Sequence, residues 1–245
     1  MGKLYVVGFG PGGYEHMTAK CIDIIEKADI ITGYTTYVEM LKEFFPDKTY
    51  LATPMMQEVK RCRMAVEEAM KDQTVAMVSS GDSGIYGMAG IIYQVAEEMG
   101  ADIEIETVPG VTAASAAASV LGAPLMHDFA VISLSDLMTP LDLIMKRVDC
   151  AGQSDLIVCL YNPKSKKRTG YVEQAADILM KYRSPGTPVG IVRHAGRRGE
   201  QSQITTLGEL KNAEIDMFSV VLIGNSQTYV SNGRMITPRG YNLEK

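Results

Sequence analysis

Short apolar runs of strand length alternate along this chain with stretches of helical periodicity, and that alternation confines it to an α/β fold. Strand patterns fall at 3–8, 30–33, 74–78 and 103–108, with an edge piece at 50–52. Helical patterns fall at 18–27, 36–45, 59–71, 85–99 and 112–121. Gly122-Ala123-Pro124 breaks the pattern, and a second series follows. It has strands at 129–134, 155–161, 188–192, 203–206 and 218–223. Its helices are at 141–151 and 171–182, with a short one at 207–211 and a small hairpin or edge at 229–238. The lengths predict two α/β domains, 1–122 and 127–245.

The run 75–78 breaks directly into Ser79-Ser80-Gly81-Asp82-Ser83-Gly84. In an open α/β sheet, ligands bind past the carboxyl ends of strands. Gly81 and Gly84 let a ligand touch backbone without meeting a Cβ, and Asp82 places an acceptor-only carboxylate there. The same residues also read as a plain strand-to-helix turn with Asp82 or Ser83 as N-cap.

Gly8-Phe9-Gly10-Pro11-Gly12-Gly13 has the spacing of a dinucleotide loop. The second strand, however, ends in Gly33-Tyr34-Thr35-Thr36, without the acid that holds a ribose, and Pro11 stiffens the loop. These glycines suit close approach to another bulky ligand; a nucleotide-binding, dehydrogenase-like module is the alternative. Val108-Pro109-Gly110-Val111-Thr112-Ala113-Ala114 opens a helix of small residues, suited to a flat ligand or to close helix–sheet packing. After the strand ending in Leu160-Tyr161-Asn162-Pro163 come Lys164, Lys166, Lys167 and Arg168, an anion-binding turn or a solvated charge run. Arg193-His194-Ala195-Gly196-Arg197-Arg198 repeats that pattern. His194 and the pair His127-Asp128 read either as proton carriers or as hydrogen-bonded loop residues.

Composition narrows the partners. Apolar content of 46% and charged content of 22% describe a soluble folded chain, and a net charge of −5 argues against a broad hold on nucleic acid. The apolar runs fall short of membrane-spanning length, and Met1 leads straight into a strand, so a cytoplasmic protein is expected. Cys21, Cys62, Cys150 and Cys159 lack metal-ligand spacing and read as reduced thiols, mostly in the core, and no metal is expected. The 16 methionines suit irregular core gaps and broad apolar ligand surfaces.

Taken in order, Val7-Gly8-Phe9-Gly10-Pro11-Gly12, Gly81-Asp82-Ser83-Gly84-Ile85-Tyr86-Gly87, Val108-Pro109-Gly110-Val111-Thr112-Ala113-Ala114-Ser115 and Leu160-Tyr161-Asn162-Pro163 resemble the tetrapyrrole (corrin and porphyrin) methylases over nearly the whole chain. Residues 125–136 and 161–168 are similar to the branch that methylates C-17 of precorrin-3B or cobalt-factor III, with ring contraction, in cobalamin synthesis. Rivals within the family are diphthine synthase and RNA methylases.

The resemblance implies two α/β domains with S-adenosylmethionine in a cleft between them, a tetrapyrrole substrate and a homodimer. It implies that Gly81, Asp82, Ser83 and Tyr86 line the methionine side of the donor, with Thr112, Ala113 and Ala114 beside them. Leu160 or Tyr161, Ala195, Gly196 and Ser219 would approach the adenosine. Gly10, Pro11 and Gly12 would face the tetrapyrrole. Lys164, Lys166, Lys167, Arg168, Arg193, Arg197 and Arg198 would anchor its carboxylate arms. His127, Asp128, Tyr161 and His194 are the candidates for the proton movements of ring contraction.

Overall fold

The computed structural model describes residues 2–165 and 167–242; Lys166, one of the candidate anchors, lies outside them. The chain divides into two compact units, Met1–Ala113 and Ala114–Lys245. Among the described residues no helix is long and apolar enough to cross a membrane.

The first unit runs β1 (Lys3–Gly8), α1 (Ala19–Lys27), β2 (Ile30–Tyr34), α2 (Thr35–Lys42), β3 (Thr49–Thr53), α3 (Glu58–Ala69), β4 (Thr74–Ser79), α4 (Ala89–Glu98) and β5 (Glu104–Val108). The strands form one parallel sheet in the order β3-β2-β4-β1-β5. The continuous apolar runs of β1 and β4 are explained by burial on both faces. Leu4, Val6, Val75 and Met77 pack toward α3 and α4, whereas Val7, Ala76 and Val78 pack toward α1. Thr18 caps α1, its Oγ1 accepting from the Cys21 N–H at 3.1 Å. Because all strands run the same way, every β-to-α turn lies on one carboxyl edge.

The helix expected from residue 85 begins at Ala89 instead. Asp82 Oδ1 accepts from the N–H groups of Gly84 and Ile85 at 2.8 and 3.0 Å, and the Ala89 N–H donates to the Ser83 carbonyl at 2.9 Å. A carboxylate that bonds its own downstream backbone competes with the first helical turn and wins here.

The second unit runs α5 (Ala113–Leu121), β6 (Gly122–Ala123), β7 (Phe129–Ser133), α6 (Leu141–Gln153), β8 (Ile157–Tyr161), α7 (Tyr171–Leu179), β9 (Pro188–Arg193), β10 (Gln201–Thr206), a 3-10 turn (Leu207–Asn212), β11 (Ser219–Ile223), β12 (Tyr229–Ser231) and β13 (Arg234–Ile236). Its main sheet has the order β10-β9-β11-β8-β7; β7 and β8 are parallel, and β11 is antiparallel to both β8 and β9. β12, β13 and β6 form a small separate sheet. The division falls at 113/114, ahead of the break at residue 122. One reason is that α5 packs on the second sheet: a Cβ at Gly190 would come within 2.2 Å of Leu121 Cδ1, so the glycine makes room for that leucine.

Cys21, Cys62 and Cys159 are buried, and desolvation pushes each thiol up to about 12; Cys150 is exposed.

Candidate functional site

On the carboxyl edge of the first sheet, the turns after β1, β4 and β5 are drawn together by backbone. Gly10 and Gly81 exchange hydrogen bonds, N–H to carbonyl, at 3.0 and 2.7 Å. A Cβ at Gly110 would lie 2.2 Å from the Gly81 carbonyl oxygen and 2.4 Å from that of Gly8. No side chain fits at that crossing.

Asp82 and Ser83 fasten it. The second oxygen of Asp82 accepts from the Gly110 N–H at 3.0 Å, and the fully buried Ser83 donates its hydroxyl to the Val108 carbonyl at 2.9 Å. The expectation of a carboxylate held out for a ligand is corrected: both Asp82 oxygens serve the turn, and Ser83 has no exposed face. Gly10, Pro11 and Gly12 are also buried, and Gly10 is bonded to the β4 turn through Gly81.

Above this floor Gly81 is buried, yet its backbone leaves room for a Cβ. Gly81 has φ +72°, and a Cβ there would meet nothing nearer than Thr112 Cα and Ala113 N, both at 3.9 Å. Thr112 and Ala113 are half-buried, Ala114 is buried, and Ile85 and Tyr86 stand exposed beside the gap, Tyr86 at φ 54°. A Cβ would fill this space, so the residues fit a ligand that rests on glycine backbone against apolar walls.

In the second unit, Tyr161, Ser133, Arg193 and Ser219 come to one edge of the sheet by register. The Tyr161 hydroxyl accepts from the Ala114 N–H at 2.6 Å, holding the first turn of α5. Leu160 lies in the core, so its side chain is removed as a ligand contact. Ser219 is buried and donates to Asp216 Oδ1 at 2.9 Å, while Asp216 Oδ2 pairs with Arg193 Nε at 2.7 Å. Arg193 is therefore a paired cation rather than a free anchor. The His194 ring stacks on Phe218 with centroids 4.9 Å apart, and the following turn carries buried Ala195 and half-buried Gly196, whose N–H donates to Glu200 at 2.7 Å. Arg197 is half-buried and Arg198 exposed.

The cationic turn after β8 is divided. The Ser165 hydroxyl accepts from the Lys167 and Arg168 N–H groups at 3.3 and 3.1 Å, closing a tight turn. Lys167 is exposed and Lys164 half-buried. Arg168 instead turns inward, donating to Ser135 Oγ at 3.3 Å and lying 3.7 Å from Asp136. Asp136 also accepts from the Tyr171 hydroxyl at 2.7 Å; that bond holds its carboxyl below the usual range and raises the phenol.

His127 and Asp128 precede β7, at the edge opposite Tyr161 and His194, and the Asp128 carbonyl accepts from Ile157 at the start of β8. The four proton candidates are therefore not brought together. Asp136 and Asp216, which organise this edge, were not singled out by sequence reasoning. They carry no motif spacing, and their partners come from other strands.

Fold and turns together define a class, and the comparison with known proteins agrees. The chain belongs to the tetrapyrrole (corrin/porphyrin) methylases, whose family model matches residues 3–211. It is 48% identical over 240 residues to a probable cobalt-factor III C(17)-methyltransferase of Salmonella typhimurium, covering 98% of this chain and 100% of that one. A protein of the same description from Methanocaldococcus jannaschii is 44% identical over 245 residues, 97% of each chain. The crystal structure of the methyltransferase CobJ superposes with a TM-score of 0.89 at 33% identity, covering 97% of this chain and 100% of that one. Family membership displaces the dinucleotide reading of the loop 8–13.

Proposed function

We propose that this chain transfers the methyl group of S-adenosylmethionine to C-17 of cobalt-factor III or precorrin-3B, with ring contraction, in cobalamin synthesis. The observation that carries this reading is the 48% identity along the full length of a relative named for that reaction. S-adenosylmethionine, when bound, supplies a sulfonium methyl already activated for transfer.

The chain's own residues bind and orient. We assign donor contact to the open face of the β4 turn: Gly81 backbone, Tyr86, Thr112 and Ala113. Asp82, Ser83 and Gly10 keep that face rigid. Orientation of two reactants is worth about 7–11 kcal/mol of barrier, so a stiff floor is itself catalytic machinery. In the second unit, Lys164, Lys167 and Arg198 are the cations offered to substrate carboxylates. Proton handling narrows to Tyr161 and His194, which share one sheet edge. The protein is proposed to act as a homodimer in the cytoplasm.

The test is anaerobic incubation with cobalt-factor III or precorrin-3B and methyl-labelled donor, followed by mass analysis. Label incorporated as one methyl group in a ring-contracted product is expected. Donor binding with no label transferred to either tetrapyrrole would overturn the assignment.

A further inference from the structure

The turn between β3 and α3 lies on the same carboxyl edge as the β4 turn, yet no motif marks it. Met55 is 52% exposed and Met56 78%, and Val59 beside them is half-exposed. Scattered exposed apolar residues need no explanation. This group differs because the protein holds it out rigidly and against backbone preference.

Beneath it lies Arg61, only 4% exposed. Its guanidinium donates to Thr53 Oγ1 at 2.7 Å, to the Thr53 carbonyl at 3.2 Å and to the Pro54 carbonyl at 3.4 Å, and lies 3.7 Å from Glu58. Glu58 in turn accepts from the Met56 N–H at 3.3 Å. A buried cation satisfied by the turn's own carbonyls fixes the turn's shape. Met56 is held at φ 65°, a conformation glycine adopts freely and a side-chain-bearing residue adopts at a cost. Glycine would hold this turn without that cost.

Position gives the use. β3 is two strands from β4, about 10 Å at the usual spacing. Between them stands Tyr34, at the end of β2, set edge-on to Tyr37 at 5.2 Å, with the Arg61 guanidinium 5.9 Å from its ring. The edge thus carries Ile85 and Tyr86, then Tyr34, then Met55 and Met56, a strip within the reach of a four-ring macrocycle. Methionine is unbranched and polarizable and makes favourable contacts with π-systems, which suits the face of a conjugated ring.

We propose that Met55 and Met56 form a platform for the flat face of the tetrapyrrole and set affinity for the macrocycle rather than for the methyl donor. This rests on the function proposed above.

The test compares the double variant Met55→Ser/Met56→Ser, Met56→Gly and a control, Met70→Ser, a methionine 50% exposed at the far end of α3. Binding is read by absorbance titration with cobalt-factor III and by calorimetry with S-adenosylhomocysteine. The double variant is expected to raise KM for cobalt-factor III about tenfold, with kcat and S-adenosylhomocysteine affinity unchanged. Met56→Gly should melt at a higher temperature than the parent yet bind the tetrapyrrole more weakly, a combination that a purely structural role does not give. Met70→Ser should match the parent. A double variant with the parent's KM overturns the platform, as does an equal loss of donor affinity. If the parent methylates cobalt-factor III while the variants are indifferent, only the platform fails. If the parent binds S-adenosylhomocysteine and no tetrapyrrole, the platform and the proposed function fail together.

Discussion

Gly81 and Gly110 are both glycines at strand ends, but a Cβ would meet different surroundings at each. At Gly110 it would lie 2.2 Å from a carbonyl oxygen, and backbone must move. At Gly81 it would have room, with 3.9 Å to its nearest neighbours, and would pay only for φ +72°. Gly81→Ala is therefore expected to fold, destabilised by about 1–2 kcal/mol, and to lose S-adenosylhomocysteine affinity because the methyl occupies the ligand's space. Gly81→Val should abolish binding. Gly110→Ala should lose stability and binding together, because it breaks the crossing that Asp82 fastens. Thermal melts beside calorimetry separate the cases, and a folded Gly81→Val protein with parental affinity would remove this turn from the donor site.

At the scale of elements, the cationic turn after β8 shows what a linear reading captures and what it leaves out. The run 164–168 reads as a set of equivalent anchors, yet Arg168 belongs to Asp136 and Ser135. Replacing Lys167 with alanine should leave the melting temperature unchanged and weaken tetrapyrrole binding at low salt by at most about fivefold, an effect that fades as salt rises. Arg168→Ala should instead lower the melting temperature, since it removes a largely buried side chain together with its contacts to Ser135 and Asp136. Equal stability of the two variants would contradict this division. Strands β1, β4 and β8 were legible because burial on both faces leaves continuous apolar runs. The start of α4 was not, because the competing bonds of Asp82 are side chain to backbone and leave no period. Nor were the ties of Asp216 to Arg193, or of Tyr161 to Ala114, 47 residues away. Such pairs are made by strand order, which helical and strand periodicities do not encode. The glycine turns could be read as a binding edge, but the division of labour within them, Asp82 to the backbone and Gly81 to the opening, required coordinates.

For the molecule as a whole, the proposed homodimer has a thermodynamic signature. If two chains associate through their folded state, the unfolding midpoint rises with protein concentration, and sedimentation at micromolar concentration gives twice the mass of one chain. A single monomeric species with a concentration-independent midpoint would overturn it. The crossing of glycines also has a consequence in time. β1 is synthesised before both of its sheet neighbours, β4 and β5, and the turn that follows it pairs with Gly81. Asp82 waits for the Gly110 N–H, 28 residues further on. A ribosome that has released β4 and not yet β5 therefore holds a chain with most of its first sheet available and no finished floor for a ligand. On the donor site proposed above, the methyl donor does not assist the early folding of this chain; it selects for molecules whose fifth strand has already arrived.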